Sequence, residues 1–184
     1  MSNPALFLDR DGVLIDYIPY LSHHNQVKIP HRGAEALRKW QDRGFLLIII
    51  SNQSGISRGY FSMEDMRLIH DKIQVEYAKF GVNFTDFFIC PHQPSEGCIC
   101  RKPSPYMLLQ AAKKYDIDLQ KSFFIGDADS DIECAVRAGC NPILLLTGRG
   151  EETLHKLSNS QKSIPIYTNL SESLQVFTNS LTHE

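Results

Sequence analysis

Near its amino end the chain carries the sequence ALFLDRDG, residues 5–12, in which a short apolar run meets two aspartates and a glycine. An apolar run of this length that ends in charge is typical of a buried strand in a parallel sheet. Side chains two residues apart can point to one side of an extended chain, so Asp9 and Asp11 can act together. Gly12 permits a sharp exit from the strand. The stretch predicts a buried strand with a carboxylate pair at its carboxyl end.

Strand-like and helix-like patterns alternate along the rest of the chain. Ser62 and Asp65 form a start resembling a capping box, and Ser104 and Pro105 read as the cap and first residue of a further helix. Such alternation predicts a three-layer α/β/α, Rossmann-like parallel sheet, in which ligands bind beyond the carboxyl ends of the strands. Strands are predicted at residues 5–8, 45–50, 87–89, 122–125 and 142–146, with an edge strand at 165–168, and helices at 33–43, 62–81, 105–115 and 130–138.

Composition limits the class of protein. The 184 residues are expected to form a single domain, residues 1–184, and a net charge of -2 argues against a nucleic-acid partner. The longest apolar run, residues 45–50, is too short to span a membrane, and the amino end does not resemble a signal peptide. An odd count of five cysteines does not suit a disulfide framework, which favours a cytoplasmic location. The segment after Gly148 is polar and weakly patterned.

Three further motifs carry chemistry: SNQSG at residues 51–55, CRKP at 100–103 and IGDADSD at 125–131. The first and the last of these follow predicted strands, as the aspartate pair does. Ser51 can donate to a phosphate oxygen through its hydroxyl and backbone N–H. Lys102 offers a compact positive charge to the oxygens of a phosphoryl group in transfer. A hydroxyl, a lysine and two carboxylate clusters in this order indicate a phosphatase that acts on a small phosphorylated metabolite.

The carboxylates predict a magnesium site. An ordinary aspartate, with a pKa of about 4, is ionised at neutral pH, so Asp9 can act as a nucleophile. A phosphate dianion would be repelled unless a hard, oxygen-seeking cation such as Mg²⁺ screened both groups. Asp127, directly after a predicted strand, is a candidate metal ligand, whereas Asp129 reads as a helix cap or a solvent contact. Asp131 could lie at the helix amino end for dipole reasons alone.

Three cysteines and a histidine lie within residues 90–100. Cys90, His92, Cys98 and Cys100 supply four sulfur and nitrogen ligands, the number that a closed, structural Zn²⁺ site requires. Zinc would fix the loop that carries the next two residues, Arg101 and Lys102. The remaining two cysteines lie in or just after a predicted helix and read as small core residues.

Taken together, the motifs resemble those of the haloacid-dehalogenase-like (HAD) phosphatase superfamily. The resemblance covers about residues 6–150 and implies an HAD fold in which Asp9 forms an aspartyl-phosphate. It implies that Asp11 protonates the leaving oxygen and later activates water, and that Ser51 and Lys102 bind the transferred phosphate. The Mg²⁺ ligands implied are Asp9, the backbone carbonyl of Asp11 and Asp127, with Asp131 helping from a second shell through Lys102.

The zinc loop is similar to that of one branch of this superfamily, the D-glycero-D-manno-heptose 1,7-bisphosphate phosphatases and histidinol-phosphate phosphatases. Residues 51–59 and the TGRG sequence at 147–150 favour the heptose enzymes, and residues 13–20 depart from them. A bisphosphate would also explain the cations, with Arg58 and Arg101 free for the distal phosphate. Asn52, Arg58 and Arg101 are therefore the predicted substrate-binding residues.

Two other function classes, and two other substrates, remain as alternatives. A zinc-stabilised binding module would need a basic, aromatic-lined surface, which the composition does not indicate. A degenerate phosphatase used as a sensor would have lost an acid or the lysine, and all are present. Histidinol phosphate, or another sugar or polyol phosphate, is the alternative substrate. Since no large insertion forms a cap domain, specificity is expected in residues 15–29, residues 54–59 and the zinc loop, and a monomer is expected.

Overall fold

A computed structural model describes residues 2–159 and 161–179 and contains a six-stranded parallel sheet. The strand order is β3-β2-β1-β4-β5-β6. The chain therefore runs from the central β1 to β3 at one edge, crosses back to β4 beside β1, and continues to β6 at the other edge. The short buried runs form strands because both faces of the sheet are covered. The strands are β1 Ala5–Leu8, β2 Leu46–Asn52, β3 Asp86–Cys90, β4 Phe123–Gly126, β5 Asn141–Leu145 and β6 Ile166–Tyr167.

Helices connect the strands and confirm the predicted alternation. The second helix begins at Met63, and the Ser62 hydroxyl and the Asp65 carboxylate cap it reciprocally, as the sequence predicts. The fourth ends at Gly139, which adopts a left-handed conformation. The helices are α1 His31–Asp42, α2 Met63–Ala78, α3 Tyr106–Tyr115, α4 Asp129–Ala138, α5 Gly150–Lys156 and α6 Val176–Asn179.

Two apolar layers enclose the sheet. Alternate residues of each strand point to opposite faces, so neighbouring residues such as Leu6 and Phe7 belong to different core clusters. One cluster joins the sheet to α1, α2 and the segment from Leu170 onward, and the other joins it to α3 and α4. The predicted three-layer architecture is therefore confirmed. None of the helices in the described ranges is long and apolar enough to cross a bilayer.

Two local predictions differ from the structure. Pro105 is the cap of α3 rather than its first residue, and Ser104 donates its hydroxyl to the Ile99 carbonyl at 2.5 Å. The segment after Gly148, where only the edge strand was predicted, contains α5, α6 and two 3-10 helices in addition to that strand, β6. It also completes the core, because the buried Trp40 indole donates to the Ser173 hydroxyl at 3.0 Å. Short helical turns leave too little periodicity for sequence patterns to detect.

Candidate active site

The predicted acidic residues meet at the carboxyl ends of β1 and β4. These strands are neighbours, with Leu8 opposite Ile125, and the Asp9 N–H donates to the Ile125 carbonyl at 3.0 Å. Asp9, Asp127 and Asp131 are buried, and one carboxylate oxygen from each lies within 4.8 Å of the others. The pairing of two central strands therefore brings together groups that are more than a hundred residues apart in the sequence.

Asp127 is held between two glycines. Gly12 and Gly148 both have positive φ angles, and a Cβ at either would lie within 2.4 Å of the Asp127 Oδ2 atom. Only glycine allows the backbone to approach the carboxylate so closely. Oδ2 accepts the Arg149 N–H at 2.8 Å, and the backbone carbonyl of Asp127 accepts the Thr153 hydroxyl at 2.8 Å. These contacts hold the Asp127 carboxylate through Oδ2. The other oxygen, Oδ1, accepts no hydrogen bond from the described residues and lies 3.9 Å from the Arg149 guanidinium.

Lys102 is the counter-charge to this acidic cluster. Its ammonium lies 2.9 Å from Asp9 Oδ1 and 2.7 Å from Asp131 Oδ1, and it donates to the Ile50 carbonyl at 2.9 Å. Asn52 secures the lysine backbone, because its amide accepts from the Lys102 N–H at 3.0 Å and donates to the Lys102 carbonyl at 3.2 Å. The side chain of Asn52, a predicted substrate contact, is thus occupied in positioning Lys102.

Asp131 contacts both the amino end of α4 and the acidic cluster, the two roles that the sequence analysis considered for it. Its Oδ2 accepts the N–H groups of Asp127 and Ala128 at 3.2 and 3.1 Å, which caps α4. Its other oxygen pairs with Lys102, so the residue serves both the helix and the acidic cluster. Asp129 is exposed, and within residues 2–159 and 161–179 its side chain accepts the adjacent Ser130 N–H alone, as a solvent-facing residue would.

Burial alters the ionisation of the cluster. Burial raises the pKa of Asp9 to about 8, although Lys102 lowers it, and Asp131 and Asp127 raise it further. Burial and Asp131 raise the pKa of Asp127 to about 6. Burial opposes the charged form of Lys102, but Asp131 and Asp9 outweigh it and raise its pKa above the usual range. Burial therefore opposes ionisation of Asp9, because this carboxylate is removed from water, and its role as nucleophile stays a prediction.

The donor set fits a hard divalent cation. Three buried carboxylates face a single buried lysine, and the Asp127 Oδ1 atom is fully buried without a hydrogen-bond donor among the described residues. A buried carboxylate oxygen in this state is costly unless it coordinates a cation. Oxygen ligands of this kind suit Mg²⁺. Asp9 and Asp127 are the residues that would hold it.

Replacing Lys102 by glutamine is expected to destabilise the protein by about 3–5 kcal/mol, because breaking a buried ion pair leaves uncompensated buried charge. Urea unfolding in magnesium-free buffer measures the change. The matched control is Lys114→Gln, which removes an ammonium that lies 2.8 Å from Asp86 but is mostly exposed. Exposed pairs contribute less than about 1 kcal/mol. Equal losses for the two variants would contradict a stabilising role for the buried pair.

The raised pKa values of Asp9 and Asp127 also predict a pH dependence of stability. Between pH 4 and 8 these two carboxyl groups bind more protons in the folded protein than in the unfolded chain, since the pKa of Asp9 is about 8 and that of Asp127 about 6. His70, whose pKa is lowered to about 3, offsets part of this difference below about pH 6.5. The contribution of the two carboxyl groups is complete below about pH 4 and is lost as the pH rises toward 8. In magnesium-free buffer the thermal midpoint should fall by about 5 °C or more between pH 5 and 8. Added Mg²⁺ should abolish the fall, and a midpoint that rises over this interval would contradict the prediction.

The Asp11 carboxylate lies outside the acidic cluster. Both of its oxygens accept from the Arg10 guanidinium, Oδ2 from Nε and Oδ1 from Nη2, each at 3.0 Å. The Gln53 side-chain amide donates to Asp11 Oδ2 and to the Ser51 hydroxyl, both at 2.8 Å. The predicted contribution of Asp11 to a metal through its backbone carbonyl is independent of this side-chain position and stays a prediction, as does phosphate binding by Ser51.

The four predicted zinc ligands converge. The Cys90 Sγ atom lies 3.6 Å from His92 Nδ1 and 3.5 Å from Cys98 Sγ, and Cys100 Sγ lies 3.4 and 3.7 Å from the same two atoms. A tetrahedron with Zn–S bonds of ~2.3 Å and a Zn–N bond of ~2.0 Å has edges of ~3.5–3.8 Å. The observed separations match those edges, so the donor set fits Zn²⁺. The other two cysteines are buried in the core, as predicted.

A cleft with a volume of about 240 Å³ opens above Asp9. Two of the regions that the sequence analysis associated with specificity line it, the segment from Tyr17 to Leu21 and the turn after β2. Of the zinc loop, residues 90–100, none lines the cleft, but Arg101 and Lys102 directly after it do. Arg58, which was predicted to bind substrate, is exposed and is absent from the lining. The lining residues are Asp9, Arg10, Asp11, Tyr17, Ile18, Pro19, Tyr20, Leu21, Asn52, Gln53, Ser54, Gly55, Arg101, Lys102, Ser130 and Arg149.

Two arginines of the cleft supply positive charge beyond Lys102. Arg101 is tethered by a hydrogen bond from Nη1 to the His92 carbonyl at 3.1 Å, so the zinc loop positions it as predicted. Arg149 stacks over the Tyr17 ring, with 5.6 Å between the guanidinium carbon and the ring centroid. The sequence analysis gave Arg149 no role, although it follows β5 at the same sheet edge. The position of Arg149 directly after a predicted strand was the sequence feature that could have identified it as a cleft residue.

Comparisons with known proteins agree with this geometry. Residues 99–173 match the family model described as HAD-hydrolase-like. The chain is 39% identical over 169 residues to the D-glycero-alpha-D-manno-heptose-1,7-bisphosphate 7-phosphatase of Photorhabdus laumondii, covering 88% of this chain and 92% of that protein. It is 39% identical over 155 residues to the D-glycero-beta-D-manno-heptose-1,7-bisphosphate 7-phosphatase of Helicobacter pylori, covering 84% and 89%.

A solved structure is similar over nearly the whole chain. The D,D-heptose 1,7-bisphosphate phosphatase of B. bronchiseptica, crystallised with magnesium and phosphate, superposes with a TM-score of 0.88 at 30% identity. The match covers 96% of this chain and 99% of that one. The similarity therefore extends to the fold as a whole.

Proposed function

The chain belongs to the HAD-like hydrolases, in the family of the heptose-1,7-bisphosphate 7-phosphatases, and on that premise we propose that it removes the 7-phosphate of D-glycero-D-manno-heptose 1,7-bisphosphate. It is a phosphoric monoester hydrolase. The observation that carries the choice of substrate is the distribution of positive charge. Lys102 is committed to the buried acidic cluster, while Arg101 and Arg149 line the same cleft and remain for a second phosphate.

The first half of the reaction is a transfer of the phosphoryl group to Asp9. A carboxylate oxygen of Asp9 attacks phosphorus, the bond from phosphorus to the sugar oxygen breaks, and Asp11 gives that oxygen a proton. Lys102 stabilises the charge that spreads over the phosphoryl oxygens. Mg²⁺, held by Asp9 and Asp127, would supply the positive charge that lets a phosphate dianion approach these carboxylates.

The second half returns the enzyme to its starting state. Asp11, now deprotonated, takes a proton from water as the water oxygen attacks the phosphorus of the aspartyl-phosphate. The bond between Asp9 and phosphorus breaks, and inorganic phosphate leaves. Asp11 thus acts as acid in one step and base in the next, which requires its carboxylate to remain at the edge of the cleft. Its side chain is 20% exposed, in contrast to the buried Asp9.

The closed zinc site would have a positional purpose in this reaction. Cys100 is followed directly by Arg101 and Lys102, so fixing the cysteine orders both cations. We expect the enzyme to work as a cytoplasmic monomer that supplies heptose for lipopolysaccharide or another surface glycan. Five unpaired cysteines fit that compartment.

Magnesium-dependent phosphate release from both anomers of heptose 1,7-bisphosphate and from histidinol phosphate tests the proposal. Both anomers are needed because the two relatives differ in the anomer that their names specify. We expect kcat/KM for one bisphosphate to exceed that for histidinol phosphate by about 10–100-fold, the effect of one or two additional charged hydrogen bonds. A preference for histidinol phosphate would overturn the assignment.

A further inference from the structure

Arg10 is a buried cation between the two aspartates of the first motif. Its residue exposure is 1%, and an arginine cannot lose its charge at ordinary pH. A buried guanidinium without a partner would be strongly destabilising. Its partner is Asp11, through two parallel hydrogen bonds of 3.0 Å. This bidentate geometry restricts the carboxylate more than a single contact would.

Gln53 adds a third donor to the same carboxylate. Its amide donates to Asp11 Oδ2 and to Ser51 Oγ, and its backbone N–H donates to the Cys90 carbonyl at 2.7 Å. The glutamine therefore links the loop after β1 to the ends of β2 and β3. The Asp11 carboxylate that these three donors hold does not belong to the acidic cluster of Asp9, Asp127 and Asp131.

The surroundings of Arg10 leave Asp11 as its charged partner. His70, on α2, is half-buried and stacks on Phe87 with 4.6 Å between ring centroids. Burial and the nearby Arg10 lower the pKa of His70 to about 3, so the ring is neutral at physiological pH. His70 therefore does not compete with Arg10 as a charged partner of the Asp11 carboxylate.

We propose that Arg10 and Gln53 form a clamp that positions the Asp11 carboxylate for proton transfer to and from the substrate oxygen. The inference deepens the proposed function, on which it rests. Three donors hold one carboxylate at the edge of the cleft and keep it separate from the cation-binding carboxylates. Arg10 is a positioning residue in this scheme, because it acts through Asp11. A misplaced acid costs about 100-fold in rate, so the clamp should affect the reaction strongly.

The test compares two leaving groups. An alkoxide leaving group needs a proton from Asp11, whereas p-nitrophenolate is a stable anion and needs none. The ratio kcat/KM reports only the steps up to release of the leaving group, so it isolates the half-reaction in which Asp11 is the acid. The variants are Gln53→Met, which keeps the side-chain volume, and Arg10→Lys, which keeps the charge but not the paired geometry. Asp11→Asn provides the reference.

We expect kcat/KM for heptose 1,7-bisphosphate to fall about 10–100-fold in both variants, while kcat/KM for p-nitrophenyl phosphate changes less than about threefold. Adding Asp11→Asn to Gln53→Met should cause no further loss beyond Asp11→Asn alone, since both changes remove one function. Equal losses on the two substrates, or multiplicative losses in the double variant, would overturn the clamp and indicate a structural role. Failure of the proposed function would be seen separately, as a different preferred substrate of the wild-type enzyme. The clamp variants would then be compared on that alkyl phosphate and on p-nitrophenyl phosphate.

Discussion

Replacing Asp9 by asparagine is expected to reduce kcat for phosphate release by at least about a thousandfold, the scale of loss when a covalent nucleophile is removed. An amide is isosteric with the carboxylate but cannot form the aspartyl-phosphate. The fold should survive, because the substitution removes one of three crowded carboxylates and Lys102 keeps its pair with Asp131 at 2.7 Å. In magnesium-free buffer the variant should unfold at a temperature no lower than the wild type at pH 8, where the Asp9 charge is most costly.

The measurement is steady-state turnover with Mg²⁺, together with thermal unfolding of the same preparations. Asp129→Asn is the matched control, because this aspartate lies between Asp127 and Asp131 in the sequence but is exposed, and among the described residues its side chain accepts the Ser130 N–H alone. Its turnover should stay within about twofold of the wild type, as is usual for surface substitutions. A variant of Asp9 that retains substantial turnover would exclude the covalent route through this residue.

Replacing Cys98 by serine is expected to lower the thermal midpoint by about 10 °C or more, because a structural zinc site stabilises the loop that it closes. Cys98 is the best choice among the ligands, since Cys90 is also part of the buried core and its loss would create a separate packing defect. We also expect kcat/KM to fall roughly 10–100-fold, since a loosened loop misplaces Arg101 and Lys102. The two effects should appear together.

Zinc content, thermal midpoint and turnover are measured on the same protein. Cys140→Ala is the control for the loss of one thiol, because it lies in the core away from the cluster of Cys90, His92, Cys98 and Cys100. That variant should keep one zinc per chain and nearly normal turnover. Wild-type protein that contains no zinc, yet has the same midpoint and activity as zinc-loaded protein, would contradict the structural role of the cluster.

The sequence was sufficient to predict structural elements and site residues where the local pattern and the chemistry of the residues agree. The apolar run of residues 5–8 predicted β1 with its observed bounds, and the cap at Ser62 and the stop at Gly139 located two helix ends. Cys90, His92, Cys98 and Cys100 lie close together in the chain, so their convergence needed only a short loop. Asp9 and Asp127 were predicted to meet because the carboxyl ends of parallel strands share one sheet edge.

Other features depended on contacts that no local pattern contains. Trp40 packs against the segment around Ser173, which has little periodicity of its own, and the Thr147 hydroxyl donates to the Gly12 carbonyl across 135 residues of sequence. Arg58 resembled a substrate contact in its motif but does not line the cleft, whereas Arg149 does, although the side chains of both are exposed.

By itself, the sequence determined which chemical groups stand at the strand ends, because strand alternation and motif spacing are properties of neighbouring residues. The tertiary structure decided which of those groups lose contact with water and which partners they acquire. Burial raises the pKa of Asp9 well above its ordinary value, Gly12 and Gly148 close around Asp127, and Arg10 turns toward Asp11. The physical reason is that solvation and pairing of a buried charge depend on every segment packed around it, and these segments meet only when the whole sheet has formed.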